Sequence, residues 1–428
     1  MTQPAFTADV YQNQYLAAGA TTVDAMVTVT ATGDGTGAVP AGGAPSAAEV
    51  IMIDCSGSMG YPRSRMTEAI KATGVAIDTL RDGVLFAVVA GRSMATQVFP
   101  GNGMVAASPE TRAAAKQAVG RLTPEGGTAI GSWLSLANRL FAGVDAQVKH
   151  AIMLTDGRNQ HESHETLMQV LRTCEGKFTC DSRGVGGDWV ADELRAVASG
   201  LLGTADGLED PAELPAAFRS MTESAMGKAV ADVRLRLWTP ASSTIRFVKQ
   251  VYPQVEDLTA RRVDVSPRIG EYPTGSWGAE SRDYHVSVQV AQGSVGEELL
   301  AARVSLVDGD TVLTQSLVLA NWTDDEALST QINDRVAHYT GQAELASAIQ
   351  EGLAAREAGD EDTATAKLGR AVQLATESGH EQTAKLLNRV VDVVDAPTGT
   401  VRLRRDASNV DAELTNVRSV KTIRVKKS

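Results

Sequence analysis

The stretch Ile51-Met52-Ile53-Asp54-Cys55-Ser56-Gly57-Ser58-Met59 constrains this chain more than any other. An apolar run stops at an aspartate, and two serines follow at alternate positions. A buried strand that ends this way delivers a loop to the edge of a sheet, where α/β folds place their ligands. One carboxylate and two hydroxyls on a single turn are hard oxygen donors, suited to Mg²⁺ or Mn²⁺ and poor partners for softer metals. Taken alone, the string reads equally well as a Ser/Gly turn capping the next helix.

Two further segments bear on that choice. Pro124 leads into Gly126-Gly127-Thr128, a tight turn ending in a hydroxyl. Ala151-Ile152-Met153-Leu154-Thr155-Asp156-Gly157 is a second apolar strand that closes on an aspartate. The order Asp-x-Ser-x-Ser, then Thr, then Thr-Asp-Gly resembles the metal-ion-dependent adhesion site of von Willebrand factor type A domains. The resemblance covers roughly residues 46 to 222 and puts Asp54, Ser56, Ser58, Thr128 and Asp156 at the family's ligand positions.

That resemblance implies a doubly wound, Rossmann-like α/β domain carrying Mg²⁺ (or Mn²⁺ or Ca²⁺). Ser56, Ser58 and Thr128 would reach the ion through hydroxyls, and the aspartates partly through water. One coordination position would stay open to an Asp or Glu of a protein partner, which makes the expected protein an interaction module and not an enzyme. A metal hydrolase would add a general base close to the ion, whereas Asp54 and Asp156 would be occupied with the metal. Tyr61, Arg63 and Arg65 follow the loop and could frame a partner's acidic group or serve chemistry. Helix N-termini on the same rim would favour an anion.

The length of 428 residues allows two or three domains, and 21% charged with 43% hydrophobic residues describes an ordinary soluble protein. A net charge of −12 argues against nucleic-acid binding. No basic stretch followed by an apolar one opens the chain, no apolar run is long enough for a membrane span, and three cysteines do not make a disulfide framework. The expected location is cytoplasmic. The Ala/Gly/Val/Arg-rich composition resembles that of high-GC bacteria, where similar proteins are linked to AAA+ ATPases or to Ser/Thr kinase signalling.

Along the chain, strands are expected at 49–54, 84–90 and 150–155, with helices at 64–81, 109–121, 130–143 and 188–198. This alternation implies a parallel sheet covered by helices on both faces. From 228 to 322 the period changes to two, which suggests an antiparallel β-sandwich. Residues 1–45 hold strands of the same kind around 9–31, followed by a Gly/Ala/Pro linker, so the α/β domain (46–222) is read as an insertion in the sandwich. Residues 325–395 read as a small helical domain, with Glu351 to Val394 like a single tetratricopeptide unit. Residues 396–428 form a basic tail, read as a flexible or loosely docked arm.

Weaker signals complete the reading. His161, His164, Cys174 and Cys180 could hold Zn²⁺, although their spacing is not that of a zinc finger, or Cys174 and Cys180 could form a disulfide, which the cytosol disfavours; the alternative is surface histidines and two cysteines in a Gly-rich loop. A zinc- or metal-dependent enzyme, or a scaffold whose metal only stabilises it, are the competing functions. Cys55 sits at a non-ligand position with no base beside it. Gly184-Val185-Gly186-Gly187-Asp188-Trp189 lacks the lysine of a phosphate loop and reads as a flexible connection. Thr422, with Val425 three positions on, could be phosphorylated and read by a forkhead-associated domain.

Overall fold

The computed structural model describes residues 4–33 and 47–425. Residues 34–46 of the expected linker and Lys426 and Lys427 of the tail lie outside them. The chain divides into two units: Gly35–Ala231 with Ala407–Arg418, and Thr2–Asp34 with Asp232–Asp406 and Ser419–Ser428.

In the first unit the continuous apolar runs form parallel strands, as runs buried on both faces do. The sheet runs Ala205–Leu208, Thr179–Val185, Val148–Thr155, Ala47–Asp54, Leu85–Gly91, Thr96–Phe99, the first five strands parallel; Thr96–Phe99 and the short Val105–Ala106 both pair antiparallel with Leu85–Gly91. Alternate side chains feed two cores. Ile51, Ile53, Val88, Ile152 and Leu154 pack with helices Ser64–Thr79, Pro109–Val119 and Leu214–Met226 on one face. Val50, Met52, Val89, Ala151 and Met153 pack with helices Ile130–Ala142, His164–Cys174 and Ala191–Gly200 on the other. Glycines let these layers close: a Cβ at Gly91 would fall 2.5 Å from the Trp133 ring.

Strand Thr179–Val185 and helix His164–Cys174 replace the expected Gly-rich loop. Cys174 closes the helix, Cys180 lies in the strand, and both are fully buried. The expected flexible stretch at Gly184–Trp189 is anchored instead. Trp189 is fully buried and its ring lies where a Cβ at Gly184 or Gly207 would come within 2.3 or 2.2 Å.

The second unit holds two antiparallel sheets. One runs Ala5–Gln12, Thr22–Thr32, Ser281–Gln289, Thr244–Tyr252, Glu256–Asp257. The other runs Val263–Ser266, Ile269–Trp277, Val230–Trp238, Glu298–Asp308, Thr311–Thr323, Leu16–Ala17, its last pair parallel. Strand Thr22–Thr32 pairs with Ser281–Gln289 from Thr30↔Ser281 to Thr22↔Gln289, so early and late strands share one sheet. Gln12 joins the sheets, donating to the Leu319 carbonyl at 2.6 Å and accepting from its N–H at 3.0 Å.

Helices Asp334–Glu357, Glu361–Glu377 and Glu381–Val390 follow. The expected repeat unit from Glu351 to Val394 is corrected: its first helix begins at Asp334, and Val391–Asp395 is a strand paired with Thr400–Leu403. The flexible arm is corrected as well. Asn409–Arg418 is a helix whose Leu414 and Val417 join the core around Trp189, and Arg418 pairs with Asp206 at 2.7 Å. In the second unit Val255 N–H then donates to Val420 O at 2.7 Å, and Thr422 donates through its N–H to Pro253 O and through its hydroxyl to Val251 O. The tail's basic residues had hidden an apolar stripe three residues apart. Among the described residues, no helix is long and apolar enough to cross a membrane.

Candidate metal centre

The strand order sets the site. From Ala47–Asp54 the chain crosses to Leu85–Gly91 on one side, while Val148–Thr155 and all later strands lie on the other. Such a reversal splays the loops that follow the two central strands and opens a crevice at their C-terminal ends. The register Met52↔Met153 and Ile53↔Leu154 brings Asp54 beside Thr155, with Asp156 one step beyond. The two aspartate-terminated runs therefore end together.

Backbone bonds fix the three loops to one another. Gly57 N–H donates to Gly126 O at 2.9 Å, Glu125 N–H to Cys55 O at 2.8 Å, and Cys55 N–H to Gly91 O at 2.8 Å. Thr128 N–H donates to His161 Nδ1 at 3.2 Å, and His161 N–H returns a bond to Thr128 O at 3.0 Å. His161 thus holds the threonine loop, a role the sequence did not signal.

Asp54 is fully buried and held at both oxygens: Oδ1 accepts from Ser56 N–H at 2.7 Å, and Oδ2 from the Thr155 hydroxyl at 2.7 Å. Asp156 is buried too; the Ser58 hydroxyl donates to its Oδ1 at 2.6 Å and Arg65 Nη1 to its Oδ2 at 2.9 Å. Ser56 and Ser58 hydroxyls lie 3.0 Å apart. A Cβ built on Gly157 would lie 3.5 Å from Ser58 Oγ and 3.6 Å from Thr128 Oγ1, so these two hydroxyls face the same glycine. The structure therefore gathers Asp54, Ser56, Ser58, Thr128 and Asp156 at one crevice, while Ser58 stays exposed to solvent.

Two buried carboxylates so placed resist their own charge. Burial, then the charge of Asp156, pushes Asp54 up to about 6. Burial also raises Asp156, against the Ser58 and Arg65 hydrogen bonds that favour its ionised form. Such a pair is stabilised by a cation. The donors are hard oxygens, and the glycine at 157 leaves their common face without a side chain, so the residues present fit Mg²⁺ or Mn²⁺.

The rim carries the two most exposed large apolar side chains among the described residues, Tyr61 at 86% and Met94 at 76%. Tyr61 follows Ser58 by three residues, and Ser93, beside Met94, accepts from Gly127 N–H at 2.9 Å. Helix Ile130–Ala142 starts at the rim, but it is already capped: Ile130 N–H donates to Asn159 Oδ1 at 2.8 Å and Gly131 N–H to Glu162 Oε1 at 2.5 Å. The anion-binding helix end expected there is therefore taken by two acceptors that follow Asp156 in sequence.

The candidate zinc set is not gathered. Cys174 and Cys180 are buried free thiols, and no group of three or more His, Cys, Asp or Glu among the described residues could hold a metal ion. Burial pushes the Cys55 thiol up to about 12 and Cys174 up to about 11, and puts Cys180 well above its usual value. None of the three is an accessible thiolate.

A family model described as von Willebrand factor type A domain matches residues 48–206, and one described as von Willebrand factor type A C-terminal domain matches residues 373–419. A solved structure, a von Willebrand factor type A protein from Catenulispora acidiphila, is 51% identical, with 99% of this chain and 98% of that one covered and a TM-score of 0.93. The ArnB paralog VWA2 from Sulfolobus acidocaldarius shares the fold at 13% identity, covering 97% and 98% of the two chains with a TM-score of 0.57. An uncharacterised protein of Synechocystis sp. is 30% identical over 217 residues, 49% of this chain, and the match spans 50% of that relative's length.

Proposed function

The chain belongs to the von Willebrand factor type A family, and from that premise we propose that it is a metal-dependent protein-binding module. A divalent cation would be held by Asp54, Ser56, Ser58, Thr128 and Asp156 and would offer a coordination position to an Asp or Glu of a protein partner. The observation that carries the reading is the meeting of two buried aspartates and three hydroxyls where the strand order reverses. Mg²⁺ suits it best, because that ion takes few protein ligands and keeps several waters. When bound, the ion supplies a Lewis-acidic position for the incoming carboxylate.

This chain's own residues do the positioning. Thr155 and the Ser56 N–H orient Asp54, and His161 keeps the Thr128 loop in place. Tyr61 and Met94 offer apolar area around a polar centre, the usual arrangement of a binding hot spot inverted to suit a charged anchor. The nearest thiol, Cys55, is buried and held protonated, so it adds no nucleophile to the site.

The partner class we propose is a bacterial AAA+ ATPase or Ser/Thr-kinase-linked assembly in the cytoplasm, a compartment that suits three free cysteines. Recognition of a phosphorylated Thr422 by a forkhead-associated domain would first have to break the hydroxyl's 2.6 Å bond to Val251 O. A pull-down from the native host in Mg²⁺, repeated in EDTA, tests the reading. Partners retained only with Mg²⁺ support it; the same partners in both contradict metal-bridged recognition.

A further inference from the structure

We propose that Arg65 sets the charge of this site, weakening its hold on a divalent cation and leaving the loaded site positive for a carboxylate. The inference rests on the metal-bridged reading above and names the residue that tunes it.

Arg65 is seated, not floating. Its side chain is 14% exposed, and Nη1 lies 2.9 Å from Asp156 Oδ2, a carboxylate with no exposure. A Cβ on Gly186, at φ +78°, would come 2.8 Å from Arg65 Nη2, so the guanidinium occupies space that only a glycine leaves. That glycine is itself pinned, because buried Trp189 donates through Nε1 to Gly186 O at 2.9 Å. Asp188 also reaches Nη1, at 3.4 Å, but it is 68% exposed and screened by water. Arg92, another guanidinium near the crevice, is answered by Glu125 at 2.6 Å. Arg65 instead shares its charge with a ligand of the site.

The charges then add simply. Asp54, Asp156 and Arg65 sum to −1. A divalent cation takes the site to +1, and a partner carboxylate returns it to neutral. Without Arg65 the same three states are −2, 0 and −1. Each state moves by one charge, so Arg65 opposes the cation and favours the anion, in a partly buried place where Coulomb terms are not fully screened. A metal site without such a residue would hold its ion more tightly and, once loaded, draw a carboxylate through the ion alone, with no net positive charge to add to it.

The test is a calorimetric Mn²⁺ titration of the full chain as wild type, Arg65→Met and Arg65→Lys. Arg65→Met should bind Mn²⁺ on the order of tenfold more tightly, and Arg65→Lys, which keeps the charge, close to wild type. Added sodium acetate at constant ionic strength should raise the apparent Mn²⁺ affinity of wild type more than that of Arg65→Met. These opposite shifts cannot come from a general loss of structure. Should the methionine variant be unstable, Arg65→Gln, which keeps a donor to Asp156, should behave the same way. Wild-type binding with equal or weaker binding by the uncharged variants overturns the inference and leaves the metal reading standing. Binding by Arg65→Met alone supports it in its strongest form. Binding by none of the proteins overturns both.

Discussion

At the N-terminal end of the parallel sheet Glu49, His150 and Asp181 meet; at the C-terminal end of the same strands Asp54 and Asp156 meet. Both clusters gather two carboxylates, though Asp181 keeps 14% of its side chain exposed, and they are completed differently. His150 stands between its carboxylates, with Nδ1 at 2.9 Å from Glu49 and Nε2 at 3.2 Å from Asp181. The remaining Asp181 oxygen accepts from the N–H and hydroxyl of Thr204, both at 2.7 Å. Every strong group there is answered from within. At the other end Arg65 reaches one of the two aspartates, Asp156, and its second carboxylate, Asp188, is exposed; Ser56, Ser58 and Thr128 bring hydroxyl lone pairs to the same crevice. A closed cluster of charges serves the fold, whereas an open one lined with lone pairs fits the binding site proposed above.

That contrast can be broken from the closed end first. His150→Ala should leave fully buried Glu49 and half-buried Asp181 without their cation and cost about 3 kcal/mol, on the order of ten degrees in melting temperature. Divalent-ion affinity should be unchanged, since no ligand is touched. A variant as stable as wild type would show that this cluster does not hold the sheet.

The pH dependence comes next. Burial works against a charged His150, but the neighbouring carboxylates of Glu49 and Asp181 outweigh it and push the imidazole up to about 10 from 6.5. Burial raises Glu49 despite His150, whereas His150 outweighs burial and holds Asp181 well below the usual carboxylate range. A raised histidine contributes stability that is complete below its unfolded value of 6.5 and is lost as pH rises through about 10. Thermal melts between pH 7 and 11 should fall for wild type over that upper range and stay flatter for His150→Gln. Equal slopes would contradict the clamp.

The smallest effect on the fold belongs to the open end's rim. Tyr61→Ala and Met94→Ser alter exposed side chains, so stability should change by no more than about 0.5 kcal/mol. Both should weaken capture of the Mg²⁺-dependent partners. Undiminished capture by the double variant would remove the rim from the recognition surface.

The open end was legible in sequence and the closed end was not. Asp54, Ser56 and Ser58 sit on one turn, and Thr128 and Asp156 close two further loops in a fixed order, so the pattern survives without coordinates. Glu49, His150 and Asp181 lie far apart in sequence on three strands and are joined only by sheet pairing. Glu49 did leave a trace, as a lone charge opening an apolar run. Helix Asn409–Arg418 was hidden because its scattered apolar residues sit among polar and charged ones in a segment of net basic sign, and read as a tail until Leu414 is seen in the core beside Trp189. Strand Thr179–Val185 was missed because its small and polar residues, Thr179-Cys180-Asp181-Ser182-Arg183-Gly184, carry no β-branched run. Arg65 was noticed, but its seat on Asp156 and Gly186 depends on two other loops, the nearer of them 91 residues away.

The most direct measurement is calorimetric titration of the full chain with Mg²⁺, as wild type and as Asp156→Ala, with melting curves alongside. One saturable site in wild type, lost in a variant that melts within a few degrees of it, is the predicted result. No saturable site in wild type, or equal binding by Asp156→Ala, would contradict the assignment of this crevice as a metal centre.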